Sequence, residues 1–249
     1  DVAEHPRQAY EAARAFGAFQ QLLCDMNPED IHETIPFFHH TRKRFDRLQK
    51  AAARDSRGRL DSCRKELDFI RRRERYVDVL LDLQERGELP VRIVHNDTKI
   101  NNILFDRQGE VLCAIDLDTV MASTSLNDFG DAIRSYANTG DEDDRDLSRV
   151  GLSLEMFRAY TEGYLSQRAK QLTDSEIDHL AFSARYITFE QVLRFLMDYI
   201  DGDTYYKVKY PGHNLVRTHA QYRLLQSMEE HYGEMCRIVR ETVDKYRKA

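Results

Sequence analysis

The sequence has no tryptophan, and only four cysteines, five prolines and eleven glycines in 249 residues. So little glycine and proline excludes collagen-like and low-complexity classes. Cys24, Cys63, Cys113 and Cys236 lie far apart and form no CxxC pair, which argues against a zinc knuckle. They read as free thiols of a reducing, cytoplasmic protein, with Cys113, set in an apolar run, as a buried small hydrophobe. No run of about 18 apolar residues exists, so no membrane span is expected. No signal peptide is visible, and the chain opens abruptly at Asp1, as if inside a larger protein. Positive charge is not in excess either. Against 37 basic residues stand 43 acidic ones, a formal charge of -6, which weighs against a dedicated nucleic-acid binder. What is present is 41% hydrophobic, 10% aromatic and 32% charged residues. That is enough apolar material for one large or two small domains, and too aromatic for disorder.

Spacing organises the chain into helices around a short β segment. Ala9, Ala12, Phe16, Phe19 and Leu23 recur three or four apart and predict an amphipathic helix over 7–23. Residues 26–38, with Pro28 and Pro36, read as a loop. Charged helices are expected over 40–56 and 60–87, the second stopping at Gly87 before Pro90. Residues 91–94, 102–105 and 111–115 are the convincing strands, the last two joined by a turn at 106–110. Helices are expected again over 128–138, 153–170, 174–200 and 217–247, with loops at 140–146 and 201–214. The fold class is α+β, mostly helical with a small central β-hairpin. Its parts are a helical lead-in to residue 90, the hairpin region 91–118 and a helical remainder to residue 249.

The unusual polar residues gather around that hairpin. His95-Asn96-Asp97-Thr98-Lys99-Ile100-Asn101-Asn102 lies between two strands, and the next strand runs into Ile115-Asp116-Leu117-Asp118. A hairpin returns its second strand beside its first, so Asp116 can approach Asn102. Asn102 and Asp116 offer hard oxygen ligands that suit Mg²⁺. Asp97 stands ahead of them as an acceptor for a hydroxyl proton, and Lys99 adds a positive charge. Phosphoryl transfer needs these parts.

The pattern HxDxxxxN, followed by a hairpin and Ile-Asp, resembles the kinase catalytic loop and its metal-binding segment. More closely, it resembles the aminoglycoside phosphotransferase and choline kinase superfamily. HNDTKINN, DLDTVM and NDFGDAIR together resemble its N-acetylhexosamine 1-kinase branch. The resemblance implies a kinase-like fold and an ATP- and Mg²⁺-dependent transfer to a sugar hydroxyl, with no nucleic-acid or membrane partner. It implies Asp97 as catalytic base, Asn102 and Asp116 as Mg²⁺ ligands, His95 as a loop stabiliser, and Asp128 as acceptor for backbone N–H groups of the loop. It also implies Arg194 and Tyr205 as sugar contacts. No Gly-rich loop or strand-borne lysine precedes residue 90, so the chain reads as the C-terminal, substrate-binding lobe of a two-lobe kinase.

Plainer readings stand beside these. Asp97 is also a turn residue that caps backbone amides, and Lys99 is also a solvated lysine. Asp118 is open between a group behind the metal ligands, a sugar-hydroxyl acceptor and a loop cap. Asp128, with Asp131, suits the first turn of a helix. Arg194 has possible partners four residues away in Glu190 and Asp198. The run Asp141-Glu142-Asp143-Asp144 reads as a solvated loop, the alternative being attraction of a cationic substrate. The competing functions are an aminoglycoside or choline kinase-like enzyme and a silent scaffold lobe.

Overall fold

The computed structural model describes residues 5–248. Helix α1 (Pro6–Leu22) has Pro6 in its first turn and a small-residue face, with Ala9, Ala12 and Ala13 fully buried. That face lies against α6 (Leu154–Arg168). The approach is so close that a Cβ on Gly163 would stand 2.1 Å from the Tyr10 carbonyl oxygen.

Helix α7 (Asp174–Asp201) is the axis of the molecule. It starts at a capping box, Thr173 with Glu176, which satisfies amides that a helix start leaves orphaned. It ends at Gly202, whose φ of 103° suits glycine alone. Against it pack α2 (Thr41–Arg54), α5 (Ser125–Tyr136), α8 (His213–Glu230) and α9 (Tyr232–Arg247). The interior is aliphatic and aromatic, with Phe129, Phe157, Tyr160, Phe189 and Leu193 fully buried.

Two of the expected long helices are broken. Residues 60–87 form α3 (Arg64–Arg71) and α4 (Val79–Glu85), with single 3₁₀ turns at Leu60–Cys63 and Glu74–Tyr76. The interruption has a local cause. The Arg73 guanidinium takes the Phe69 carbonyl at 3.2 Å, and the Arg73 amide turns to Ile70 instead, so the α-helical ladder ends. The segment 217–247 likewise divides at His231, whose ring and amide both bond to the Ser227 carbonyl.

The described residues contain four short strands in two antiparallel pairs. Strands β2 (Ile103–Phe105) and β3 (Val111–Ala114) form the expected hairpin, with Ile103 opposite Ala114 and a register shift after Leu104. Strand β1 (Arg92–Val94) pairs instead with β4 (Met121–Ser123), Val94 opposite Met121. Met121-Ala122-Ser123 has no β-branched residue and no alternation. Only its tertiary partner makes it a strand, so sequence pattern missed it. Cys113, expected to be buried, is exposed on β3 beside Leu112, because that face of the hairpin has no layer over it.

Candidate active site

Strand β1 leads into His95 and β2 starts just after Asn102, so the loop between them is held at both ends. Its interior is fixed by α5. The Asp128 carboxylate accepts from the His95 amide at 3.0 Å, the Asn96 amide at 2.6 Å and the Gln20 side chain at 2.7 Å. Thr98 donates its hydroxyl to the Asp128 carbonyl, and its amide to Asp131, one turn along α5. Burial pushes the Asp128 carboxyl upward from the ordinary range, and the amide donors pull against it. Asp128 therefore serves the loop as well as the helix start.

His95 is fully buried, edge-on to Phe16 and Phe19. Its Nε2 lies 2.9 Å from the Ile115 carbonyl oxygen, and its Nδ1 faces the Asp97 amide at 3.3 Å. A carbonyl can only accept and an amide can only donate. The ring is therefore the neutral Nε2–H tautomer, a brace between the loop and β3 with no free nitrogen for proton transfer.

Asp97 is partly exposed. Its Oδ2 receives Lys99 Nζ at 2.6 Å and Asn102 Nδ2 at 2.9 Å. Burial by itself lowers the Lys99 pKa, but the bond and charge of Asp97, with Asp116 and Asp131 nearby, leave it raised. Oδ1 of Asp97 makes no hydrogen bond among the described residues, which leaves it free to accept. Across the hairpin the Ile115 amide donates to the Asn102 carbonyl at 2.9 Å, so Asn102 and Asp116 sit one register step apart. Asp116 has φ of 62°, a left-handed conformation that turns the chain sharply at the end of β3.

The donor set fits a divalent cation. Asn102 spends its amide nitrogen on Asp97 and keeps its carbonyl oxygen, and the exposed Asp116 carboxylate makes no hydrogen bond or ion pair among the described residues. Both are hard oxygens with free lone pairs.

Beside Asp97 lies a cavity of about 290 Å³ walled by Phe38, His39, Asp131, Arg134, Glu190, Gln191, Arg194 and Tyr206 as well as the loop. Arg194 is there, packed near the rings of Phe38 and Tyr206 and bonded to Gln191 at 3.3 Å. Asp198 turns away from it. That carboxylate accepts the amides of Thr204, Tyr205 and Tyr206, folding the 202–212 loop so that Tyr206 reaches the cavity. Tyr205 points outward, 70% exposed, and does not line it. Asp118 is exposed too, its carbonyl holding Thr34, and its carboxylate does not line the cavity.

Sequence reasoning missed His39, Arg134 and Tyr206. His39 falls between the segment read as loop and the helix expected from residue 40, 58 positions before Asp97. No spacing rule links the two. Arg134 carried a weak signal, three residues after Asp131 in NDFGDAIR, the spacing of a same-face helix pair.

Comparison with known proteins bears on the family and the fold. The model of a phosphotransferase enzyme family, APH, matches residues 1–169. Among solved structures, an ethanolamine kinase from Plasmodium vivax superposes with a TM-score of 0.50 at 15% identity, over 87% of this chain and 59% of that one. At that identity the likeness concerns the fold, which is the mostly helical, kinase-like arrangement, and this chain spans about three-fifths of that kinase's length. The chain belongs to the APH phosphotransferase family.

Proposed function

We propose that the protein transfers the γ-phosphoryl group of ATP to a hydroxyl of a small sugar, in the manner of an N-acetylhexosamine 1-kinase. The observation that carries the reading is the convergence of Asp97, Lys99, Asn102 and Asp116 at one end of the hairpin, beside a cavity of sugar size. Asp97, oriented through Oδ2, offers Oδ1 to the substrate hydroxyl and accepts its proton as the oxygen attacks. Lys99, ion-paired with that carboxylate, places positive charge beside the moving group. Asn102 and Asp116 hold Mg²⁺, which when bound with ATP supplies neutralisation of the phosphate charge. A covering loop and lysine for the phosphates would come from a further lobe. The exposed Leu104, Leu112 and Leu117 on the hairpin side give such a lobe an apolar seat.

Charge pairing in the cavity supports a neutral substrate. Each carboxylate lining it already has a cation: Asp97 has Lys99, Asp131 and Glu142 have Arg134, and Glu190 has His39. Arg194 has no carboxylate within ion-pair distance among the described residues, so it is free to donate to hydroxyl or carbonyl oxygens. A choline- or aminoglycoside-like cation would need an unpaired carboxylate. In the acidic loop Asp143 is held by Lys209 and His213, with its pKa lowered to about 2, and Asp144 faces Arg149, leaving Asp141 exposed.

The test is ADP release by the full-length protein with Mg²⁺–ATP against N-acetylglucosamine, N-acetylgalactosamine, ethanolamine, choline and kanamycin. Turnover with an N-acetylhexosamine is expected. Turnover confined to the amines would overturn the sugar reading, and turnover with none would favour the scaffold reading.

A further inference from the structure

The peptide bond between Asn96 and Asp97 is gripped from both sides by histidines. Its N–H, on Asp97, faces Nδ1 of His95, and its carbonyl, on Asn96, lies 3.0 Å from Nε2 of His39. Asn96 itself has φ of 64°, a left-handed conformation that a side chain resists and that the surroundings must maintain. Its amide goes to Asp128 and its side chain donates to the Thr119 carbonyl. A rotation of this one peptide plane would swing the Asp97 carboxylate.

The two histidines are in different protonation states. Nδ1 of His39 lies 2.9 Å from Glu190 Oε1, and the other Glu190 oxygen takes the Thr41 hydroxyl at 2.5 Å. His39 and Glu190 are 6% and 1% exposed. Both neighbours of the His39 ring, a carboxylate and a carbonyl, are acceptors, so both its nitrogens must donate. The ring is an imidazolium. We propose that His39 is a positioning residue which, as a buried cation held by Glu190, locks the Asn96–Asp97 peptide and so aims the catalytic carboxylate.

The consequence is a proton requirement. Deprotonated His39 keeps one N–H, and the charge of Glu190 claims it at Nδ1. Nε2 would then turn a lone pair toward the Asn96 oxygen, and a clamp becomes a repulsion. Other charges bear on the ring from the elements packed around it. Asp131 on α5 favours the cation, and Asp97 at the loop does the same but is offset by Lys99. Arg194 on α7 and Arg134 on α5, which line the same cavity, oppose it, whereas Lys43 bears on the neighbouring His40, whose pKa burial and that charge lower. Burial also opposes the charge, yet the Glu190 contact prevails and the His39 pKa lies above the ordinary histidine value.

The proposal rests on the phosphotransfer reading for its kinetic arm alone. In the folded chain, ¹⁵N-resolved NMR of the imidazole at pH 7 should show both His39 nitrogens protonated. A neutral His39 at that pH would overturn the proposal whatever the enzyme does. In the full-length enzyme the kcat profile should fall on the alkaline side. His39→Gln, whose amide can donate to the Asn96 oxygen without titrating, should flatten that limb. Glu190→Gln should move it to lower pH. His39→Ala should lower kcat by up to about 10²-fold with KM little changed, the effect of a misaimed group. If His39→Gln and wild type give superimposable pH profiles, His39 is only structural. Complete absence of phosphotransfer by wild type would sink the functional reading and leave the NMR result to decide the clamp.

Discussion

Asp116 and Asn102 differ in what they bring to a cation. A carboxylate contributes a full charge and an amide oxygen only a dipole. Asp116→Ala should therefore raise the Mg²⁺ concentration needed for half-maximal activity far more than Asn102→Ala. Asn102→Ala should add a second defect, since its amide also orients Asp97 at 2.9 Å. A Mg²⁺ titration of both variants that superimposes on wild type would remove them from the metal site. The buried pair His39–Glu190 makes stability depend on pH at both ends. The His39 pKa is raised in the fold, so its contribution is complete below about 6.5 and is lost as pH climbs through the higher folded value. The Glu190 pKa is lowered despite burial, chiefly by His39, so its contribution is lost as pH falls through that lower value. Urea midpoints should decline from pH 6 toward pH 9, because a tenfold difference in proton affinity between the folded and unfolded chain is worth about 1.4 kcal/mol. That decline should vanish in His39→Gln. At this scale the loop residues were legible in the sequence, because HxDxxxxN and the hairpin that follows keep fixed local offsets. His39, Tyr206 and the outward turn of Tyr205 were not. They depend on how Asp198 folds a distant loop and on which segment packs against α7.

The site stands on close contacts between elements. Gly130 lies on α5 between Asp128 and Asp131, where a Cβ would meet the Ser183 carbonyl of α7 at 2.4 Å. Gly130→Ala should force the two helices apart, costing about 1–3 kcal/mol or more. It should also lower kcat, since both carboxylates that hold the loop move with α5. Urea unfolding and a steady-state assay read the two effects separately, and a variant unchanged in both would show that the crossing is looser than described. A second support is the fork of Arg92 on β1 onto Glu176 of α7, at 2.7 and 2.8 Å, with Glu176 fully buried. Arg92→Ala strands that carboxylate with only Ser125 and the Thr173 amide, and should destabilise the chain by about 3 kcal/mol. Arg92→Lys should recover part of the loss. An Arg92→Ala variant unfolding within about 0.5 kcal/mol of wild type, the range of ordinary surface changes, would show that the pair does not support the fold. Helix positions were legible from apolar spacing. The breaks at Arg73 and His231 were not, because side-chain bonds to backbone carbonyls, Arg73 to Phe69 and His231 to Ser227, leave no mark on apolar spacing.

As a whole molecule, the chain is a helical scaffold with one small hairpin and one loop that hold the candidate site. Its fold class was legible because long amphipathic helices and a single β-rich interval leave few alternatives. The β1–β4 pairing was not, since β4 is a strand only by virtue of its partner. Leu104 and Leu112 on the hairpin and Leu117 just after it are exposed, and if a further lobe seats there as proposed, limited proteolysis should find them protected in the full-length protein. The proposed chemistry turns on Asp97, in the loop that leads into this hairpin, accepting the substrate proton. The decisive number is kcat of Asp97→Asn in the full-length protein, with ATP binding measured alongside. The substitution keeps the shape but removes the proton acceptor. The expected result is a loss of about 10²–10⁴-fold in kcat with ATP binding retained; near wild-type turnover would remove Asp97 from the mechanism.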